Sequence, residues 1–372
     1  MKDNYGIYVH IPFCKARCGY CAFSSCCDYA LQETYFAKIC GEITARSDKS
    51  VAISTVYLGG GTPSSVEIKY IDVVFDALRQ NLDLTAVSEI SVECNPESVT
   101  EELLVCLKRN GVNRLSFGLQ SVNDDTLKRV GRIHRYSDFL SALDLAESLG
   151  FDNINADLIL GLPERAQDFY GSVKAVAALP LTHVSVYALE LHDNTPFSDY
   201  CKKYYGYTDD ELADMYDSAV SILAANGFSR YEISNFAKKG YECKHNLTYW
   251  NENRYYAFGA SASGFVGDVR YTNPYGIDDY IRAPVADLVL GGETISRSEQ
   301  ANEYAMLRLR LSNGADTDEF RLRYGIDFFD FFPNALTLVK RGMLERRGKF
   351  VIVPDDKIYV VNSILCELLK FD

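Results

Sequence analysis

A chain of 372 residues that is 47% hydrophobic and 24% charged can bury one large core, or a large and a smaller one, and its 26 Tyr and 20 Phe exclude a disordered polymer. A formal net charge of −13 excludes nucleic acid and anionic membrane as general partners, while leaving room for local basic patches. No apolar run reaches the roughly 18 residues of a membrane span, and the opening "MKDNYGIYVHIPF" has no signal-peptide layout. Eleven scattered cysteines do not read as a disulfide framework. A cytoplasmic protein is expected, with thiols that are buried or serve as ligands.

Strand-like runs alternate with helical patterns through the first two thirds. "GIYVHI" is the first strand and "STVYLG" the second. Ser64 and Glu67 then carry a capping-box signature ahead of Ile71, Val74, Phe75 and Leu78, which share one helical face. "EISVE" is the third strand; Thr100 caps "EELLVCLKRN" and Gly111 stops it. "NRLSFGLQ", "NINADLIL" and "HVSVYALEL" are the fourth to sixth strands, with a helix ending at Gly150 between the first two of these. Thr208 and Glu211 open a further helix that closes near Gly227. Such alternation means parallel strands joined by right-handed crossovers. Six units favour an α/β fold with a partial (β/α)6 TIM-like barrel over the competing doubly wound open sheet.

This core is expected to span residues 1–235. Residues 236–295 form an aromatic and Gly-rich connecting segment without a clear period. Over 296–372 amphipathic helices return, with a hairpin at "MLERRGKFVIV" and a last helix at "NSILCELLKF". They suggest a smaller C-terminal helical, winged-helix-like domain that packs or acts as a lid.

Polar and Gly-rich residues recur at the carboxyl ends of the strands. Cys14 follows the first, "GGGTP" (Gly59 to Pro63) the second, Glu93 ends the third, Gln120 the fourth, and Asp157 lies toward the end of the fifth. In parallel α/β sheets those ends share one edge, where sites form. Cys14, Cys18 and Cys21 sit within eight residues. Structural zinc sites draw paired Cys-x-x-Cys knuckles from two segments, and the second pair is missing. Three thiolates on one loop can instead hold three irons of a [4Fe–4S] cube and leave the fourth open. A closed cluster with Cys26 or Cys27 as fourth ligand is the rival, and incidental cysteines are the plain alternative. The glycines of "GGGTP" let backbone approach a ligand; without a following Lys-Ser/Thr the turn is not a phosphate loop.

The spacing Cys-x-x-x-Cys-x-aromatic-Cys, with Tyr20 as the aromatic, resembles the radical S-adenosylmethionine (SAM) superfamily signature. "YVHIPFC", "YLGGGTPS", "GVNRLSFGLQS", "LKRVGRIH", "ADLILGLP" and "YEISNFAKKGYECKHNLTYW" resemble the branch that holds the oxygen-independent coproporphyrinogen III oxidases and the HemW heme chaperones. The resemblance implies a radical SAM barrel, a [4Fe–4S] cluster, SAM and a low-potential electron donor such as flavodoxin or ferredoxin. It places Tyr8, Gly60 and Glu93 against the SAM on the cluster. Tyr20, Gly61, Thr62, Gln120, Arg132 and Asp157 match positions that help bind a second SAM in the oxidases. Each of these polar residues also has a plain reading as a cap or inter-loop hydrogen bond.

His245 in "CKHNLTYW" is the remaining focus. A neutral imidazole is a common heme-iron ligand, and Cys243, Tyr249 and Trp250 would line an apolar macrocycle pocket. The bland reading is a hydrogen-bonded core histidine. The motif resembles the heme-binding motif of the chaperones. Two further features point the same way: Phe23 stands where the oxidases carry another cysteine, and the first strand begins without their long extension. Ala22, where the chaperones usually have Asp, is a departure. The expected function is a heme chaperone that passes heme to an acceptor haemoprotein. The alternatives are a coproporphyrinogen III oxidase and a heme-degrading radical enzyme.

Overall fold

The computed structural model describes residues 5–191, 195, 197 and 206–370. All six expected strands are present: β1 (Tyr5–Ile11), β2 (Ile53–Gly60), β3 (Glu89–Cys94), β4 (Arg114–Gln120), β5 (Ile154–Leu160) and β6 (His183–Ala188). They pair in chain order, all parallel. Helices α1 (Gln32–Arg46), α2 (Ile68–Asn81), α3 (Glu101–Arg109), α4 (Asp124–Arg129), α5 (Tyr136–Ser148) and α6 (Ala166–Ala177) supply the crossovers, and α7 (Asp209–Ala225) follows β6.

The two faces of this sheet differ in chemistry. Ile7, Val9, Val56, Leu58, Val92, Leu115, Phe117 and Leu158 are fully buried in one apolar cluster with Ile39, Val74, Phe75, Leu104, Phe139 and Val173 of the helices. The alternate positions carry Thr55, Tyr57, Glu89, Glu93, Arg114, Ser116, Asn155, Asp157 and His183. They bond to one another across neighbouring strands, as Asn155 Nδ2 does to Ser116 Oγ at 2.7 Å. Parallel strands covered on both faces usually read as continuous apolar runs; period-two alternation here records an inner face built from polar side chains.

The helix ends follow the sequence with one correction. Thr100 Oγ1 accepts the Leu103 N–H at 3.2 Å, and Thr208 and Glu211 form the reciprocal capping box. Gly111 and Gly150 take positive φ as helix stops. Ser64, however, caps nothing: α2 starts at Ile68 with Glu67 as N-cap. The Ser64 hydroxyl accepts the Asn95 N–H at 3.0 Å and pairs with Ser98 Oγ, drawn to the polar loop after β3.

Beyond residue 228 the chain widens the sheet. β7 (Ser229–Arg230) and β8 (Asn235–Ala237) add an antiparallel edge to β6. After helix α8 (Lys244–Trp250), β9 (Tyr255–Phe258) joins β1 in parallel, and β10 (Ser263–Val266), β11 (Val269–Thr272) and β12 (Glu293–Thr294) continue outward. No pairing among the described residues joins β7 to β12, so the sheet is an open, partial barrel. The aperiodic Gly-rich stretch thus contributes strands; at Gly264 a Cβ would collide with the Tyr271 ring that crosses it.

The C-terminal unit packs helices 297–308, 317–324, 334–340 and 361–368 with a small antiparallel sheet of β13 (Ala315–Asp316), β14 (Glu345–Arg347) and β15 (Phe350–Ile352). Phe320, Phe328 and Phe332 are its fully buried aromatic centre. Glu252, just after α8, ties it to the barrel by accepting from the Tyr324 hydroxyl at 2.6 Å and pairing with Arg323 at 3.3 Å. No helix of the described residues is long and apolar enough to cross a membrane.

Candidate functional site

The cysteine loop leaves β1 and is pinned at its stem. Cys26 N–H donates to the Pro12 carbonyl at 2.7 Å and Cys14 N–H to the Cys26 carbonyl at 3.0 Å. Cys14, Cys18 and Cys21 are all half-buried. Burial pushes the Cys14 thiol up to about 11, opposed by its bond from Thr62 and reinforced by the neighbouring Cys21, Cys18 and Cys27. Metal binding there must therefore release a proton. No three His, Cys, Asp or Glu of the described residues converge on a single-ion position. Cys26 Sγ accepts the Asp28 N–H at 3.3 Å, while Cys27 is exposed.

A ring of hydrogen bonds links two of these thiols. Thr62 Oγ1 donates to Cys14 Sγ at 3.4 Å and accepts from Asn95 Nδ2 at 2.9 Å. Asn95 Oδ1 accepts from Arg132 Nη2 at 2.8 Å, and Arg132 Nη1 reaches Cys18 Sγ at 3.6 Å. Arg132 also donates to the Gly118 carbonyl. It is no surface cation: burial works against its charge, but Tyr20, Cys18 and Glu97 outweigh that and hold it protonated. Asn95 was not singled out from sequence; its signal was a polar residue directly after a strand in "ECNPES".

Glu93 anchors the next sector. It accepts from the Gly60 N–H at 3.0 Å and the Tyr57 hydroxyl at 2.9 Å. Burial, outweighing these bonds, raises its carboxyl to about 7, so a cationic ligand group arriving here would favour the ionised form. Tyr8 Oη donates to His10 Nδ1 at 3.0 Å, and His10 Nε2 donates to the Ser24 carbonyl at 2.9 Å. The carbonyl can only accept, which fixes the proton on Nε2 and makes Nδ1 the acceptor. Burial keeps this imidazole neutral by lowering its pKa. His10, also missed from sequence, therefore ties Tyr8 to the cysteine loop.

The glycines have a different immediate role from the one expected. A Cβ on Gly60 (φ 109°) would collide with the His10 ring, 2.3 Å from Nδ1, and one on Gly61 would lie 2.5 Å from the Pro12 carbonyl carbon. What approaches these glycines is the protein's own β1 and cysteine loop.

The remaining residues lie on the inner face and rim. Asp157 accepts from Asn155 Nδ2 at 2.8 Å, and burial raises its carboxyl. Gln120 ends β4 at φ 71°, next to a break in register opposite Leu158; such strain in a non-glycine residue is characteristic of ligand-holding positions. Tyr20 packs against Val130, Leu162 and Phe197. Arg114, 2% exposed, has a buried Nε without a hydrogen-bond partner. Its charge favours ionisation of both Glu93 and Asp157.

His245 takes the core-histidine arrangement. It is 1% exposed, with Nδ1 2.9 Å from Thr55 Oγ1 and Nε2 2.7 Å from the Tyr249 hydroxyl. It stacks on Tyr57 at 5.1 Å. Burial drives its pKa down to about 3, so the ring is neutral but both nitrogens are engaged. Cys243 is fully buried, its Sγ 3.4 Å from Glu89 Oε1.

Residues 8–176 match the radical SAM superfamily and 295–355 the HemN C-terminal domain. The chain is 32% identical to the heme chaperone HemW of Lactococcus lactis over 98% of its length and 97% of that protein's. It is 34% identical to the heme chaperone HemW of Bacillus subtilis, covering 96% and 97%. The chain belongs to the HemW family. The HemW protein of Escherichia coli is 35% identical over 70% of each chain. Among solved structures, the coproporphyrinogen III oxidase HemN of Escherichia coli shares the fold, with a TM-score of 0.84 at 22% identity over 98% of this chain and 90% of that one. Radical SAM membership brings with it a [4Fe–4S] cluster and SAM, and the thiol triad, the Glu93 carboxylate and the polar inner face fit both.

Proposed function

We propose that this protein is a cytoplasmic heme chaperone of the HemW type that transfers heme to an acceptor haemoprotein, with a low-potential flavodoxin or ferredoxin as electron donor. The observation that carries the reading is the match to HemW chaperones over nearly the whole chain, the C-terminal unit included. Cys14, Cys18 and Cys21 would hold the [4Fe–4S] cluster. Tyr8, Gly60 and Glu93 would meet the SAM bound to it, and Tyr20, Gly61, Thr62, Gln120, Arg132 and Asp157 would serve the adjoining rim. When bound, the cluster supplies a one-electron centre and an open iron for SAM to chelate. The residues supply the rest: the Thr62–Asn95–Arg132 ring sets two thiols, and Glu93 offers an acceptor for ligand protons.

For His245 to ligate heme iron through Nε2, the Tyr249 hydroxyl must leave it. Both residues lie on α8, so heme binding by His245 implies that the Tyr249 side chain swings away from Nε2. The test is anaerobic reconstitution followed by SAM, heme and coproporphyrinogen III assays on one sample. The chaperone reading expects stoichiometric heme uptake and release to an apo-haemoprotein with the macrocycle intact. Decarboxylation of the porphyrinogen would replace it with the oxidase, and opening of the macrocycle with a degrading enzyme.

A further inference from the structure

The chain is strongly acidic, yet the surface around the cysteine loop is not. Residues 12–27 contain Lys15 and Arg17 and no Asp or Glu. Residues 126–137, "TLKRVGRIHRYS", contain four further cations besides His134 and again no acid. The fold brings these two segments together: Gly19 N–H donates to the Val130 carbonyl at 3.0 Å, and Arg132 reaches Cys18. Helix α4 contributes by its polarity, with Asp124 and Asp125 at its start and Lys128 and Arg129 at its end. Arg132 is turned inward, but Lys15, Arg17, Lys128 and Arg135 are exposed. Glu97 is mostly buried against His134, and the exposed acids Asp28, Asp124, Asp125 and Asp138 flank the two segments rather than interrupt them, Asp138 and Asp124 accepting the Arg135 and Tyr136 N–H groups.

Two apolar side chains stand bare within this basic collar. Phe23, on the cysteine loop itself, is 69% exposed, and Ile133 is 53% exposed. The loop under Phe23 is held rather than loose: the Tyr275 hydroxyl donates to the Ala22 carbonyl at 2.7 Å, and the Ser24 hydroxyl donates to the Tyr275 carbonyl at 2.6 Å. An exposed ring and an aliphatic side chain beside a cluster of exposed cations make an interaction surface.

We propose that this collar is the docking surface for an acidic one-electron carrier protein, which delivers its electron to the cluster from the outer side of the cysteine loop. The inference rests on the assignment of Cys14, Cys18 and Cys21 as cluster ligands. Charge complementarity selects the partner. A chain of net charge −13 repels an extended polyanion, whereas a small acidic protein meets only the basic patch. Position selects the task, since the patch is built on the loop that carries the three thiols. In the transfer, the reduced carrier loses one electron and the oxidised cluster gains it, with no bond made or broken and no proton moved.

The test uses the cluster-loaded protein, its iron content and visible absorbance measured first so that failure of the cluster assignment is seen separately. The probe is an acidic flavodoxin, oxidised for binding and reduced for stopped-flow reduction of the cluster. The K128E/R135E variant is expected to lower the association rate by about tenfold at low ionic strength, the difference shrinking to under about twofold near 0.5 M salt. Reduction by dithionite is expected to be unchanged. The I133S variant, which alters no charge, is expected to raise the flavodoxin dissociation constant at every salt concentration. Equal association and reduction rates for wild type and the charge-reversed variant would overturn the proposal. So would tighter, Lys128- and Arg135-dependent binding to phosphatidylglycerol vesicles or duplex DNA than to flavodoxin.

Discussion

The Asn95 carboxamide and the Arg132 guanidinium, from the ends of two different strand–helix units, meet at 2.8 Å in the hydrogen-bonded path that joins Cys14 to Cys18. Through Thr62 on one side and Arg132 on the other, a single carboxamide aligns both thiols. Asn95→Ala leaves the buried Thr62 hydroxyl and the half-buried Arg132 guanidinium each short of a partner. A loss of about 1–3 kcal/mol in stability is expected from urea denaturation of the apo-protein. Iron content after reconstitution should fall with it; an unchanged cluster yield would show that the ring does not set the thiols.

Gly60 faces His10 too closely for any side chain. Gly60→Ala combines a positive φ with a collision against the imidazole, and a destabilisation of about 2–4 kcal/mol is expected. The H10A substitution removes the ring that the new Cβ would strike. In a double-mutant cycle it should recover part of the loss, the remainder being the backbone term. Strict additivity would mean that the two residues do not touch.

Glu93 makes stability depend on pH. Its folded-state pKa of about 7 lies above the unfolded value, so the native state retains a proton that the unfolded state has lost between about pH 4.5 and 7. The Glu93 contribution is therefore fully present below that window and falls as pH rises through it. Glu252, also raised to about 7 by burial, acts in the same direction. Glu93→Gln should flatten the profile of thermal midpoint against pH in this range. SAM affinity should instead increase as pH rises through about 7, because a cationic ligand group favours the carboxylate. Pulling the two curves apart requires only calorimetry with and without SAM.

His245 offers a double readout. Its lowered pKa of about 3 means that the unfolded state binds more protons below the ordinary histidine range. The neutral ring's contribution is present at neutral pH and is lost as pH falls from about 6.5 toward 3. His245→Ala removes both hydrogen bonds and the stacking on Tyr57, and about 2–4 kcal/mol of stability should go with them. His245→Gln keeps polar partners for Thr55 and Tyr249 and should restore part of it. Should the Gln variant fold well yet lose the heme spectrum, iron ligation is supported; heme absorption identical to wild type would leave His245 a packing residue.

The sequence by itself determined the strand–helix units of the first two thirds and the rim. Period-two runs gave six strands, Gly and Thr punctuation gave the helix ends, and the rule that parallel strands share a carboxyl edge placed Cys14, Gly60, Glu93, Gln120 and Asp157 on one side. These are local signals, set by backbone sterics and side-chain alternation within a few residues. Tertiary structure decided what each residue touches. Ser64 left its helix for Asn95, which lies 31 residues away; the glycines of "GGGTP" make room for His10 and Pro12; and His245 lies under Tyr249 with both nitrogens engaged. Side-chain hydrogen bonds and steric exclusion depend on which strands become neighbours, and that is fixed only when the apolar outer face closes on the helices and forces the polar inner residues against one another.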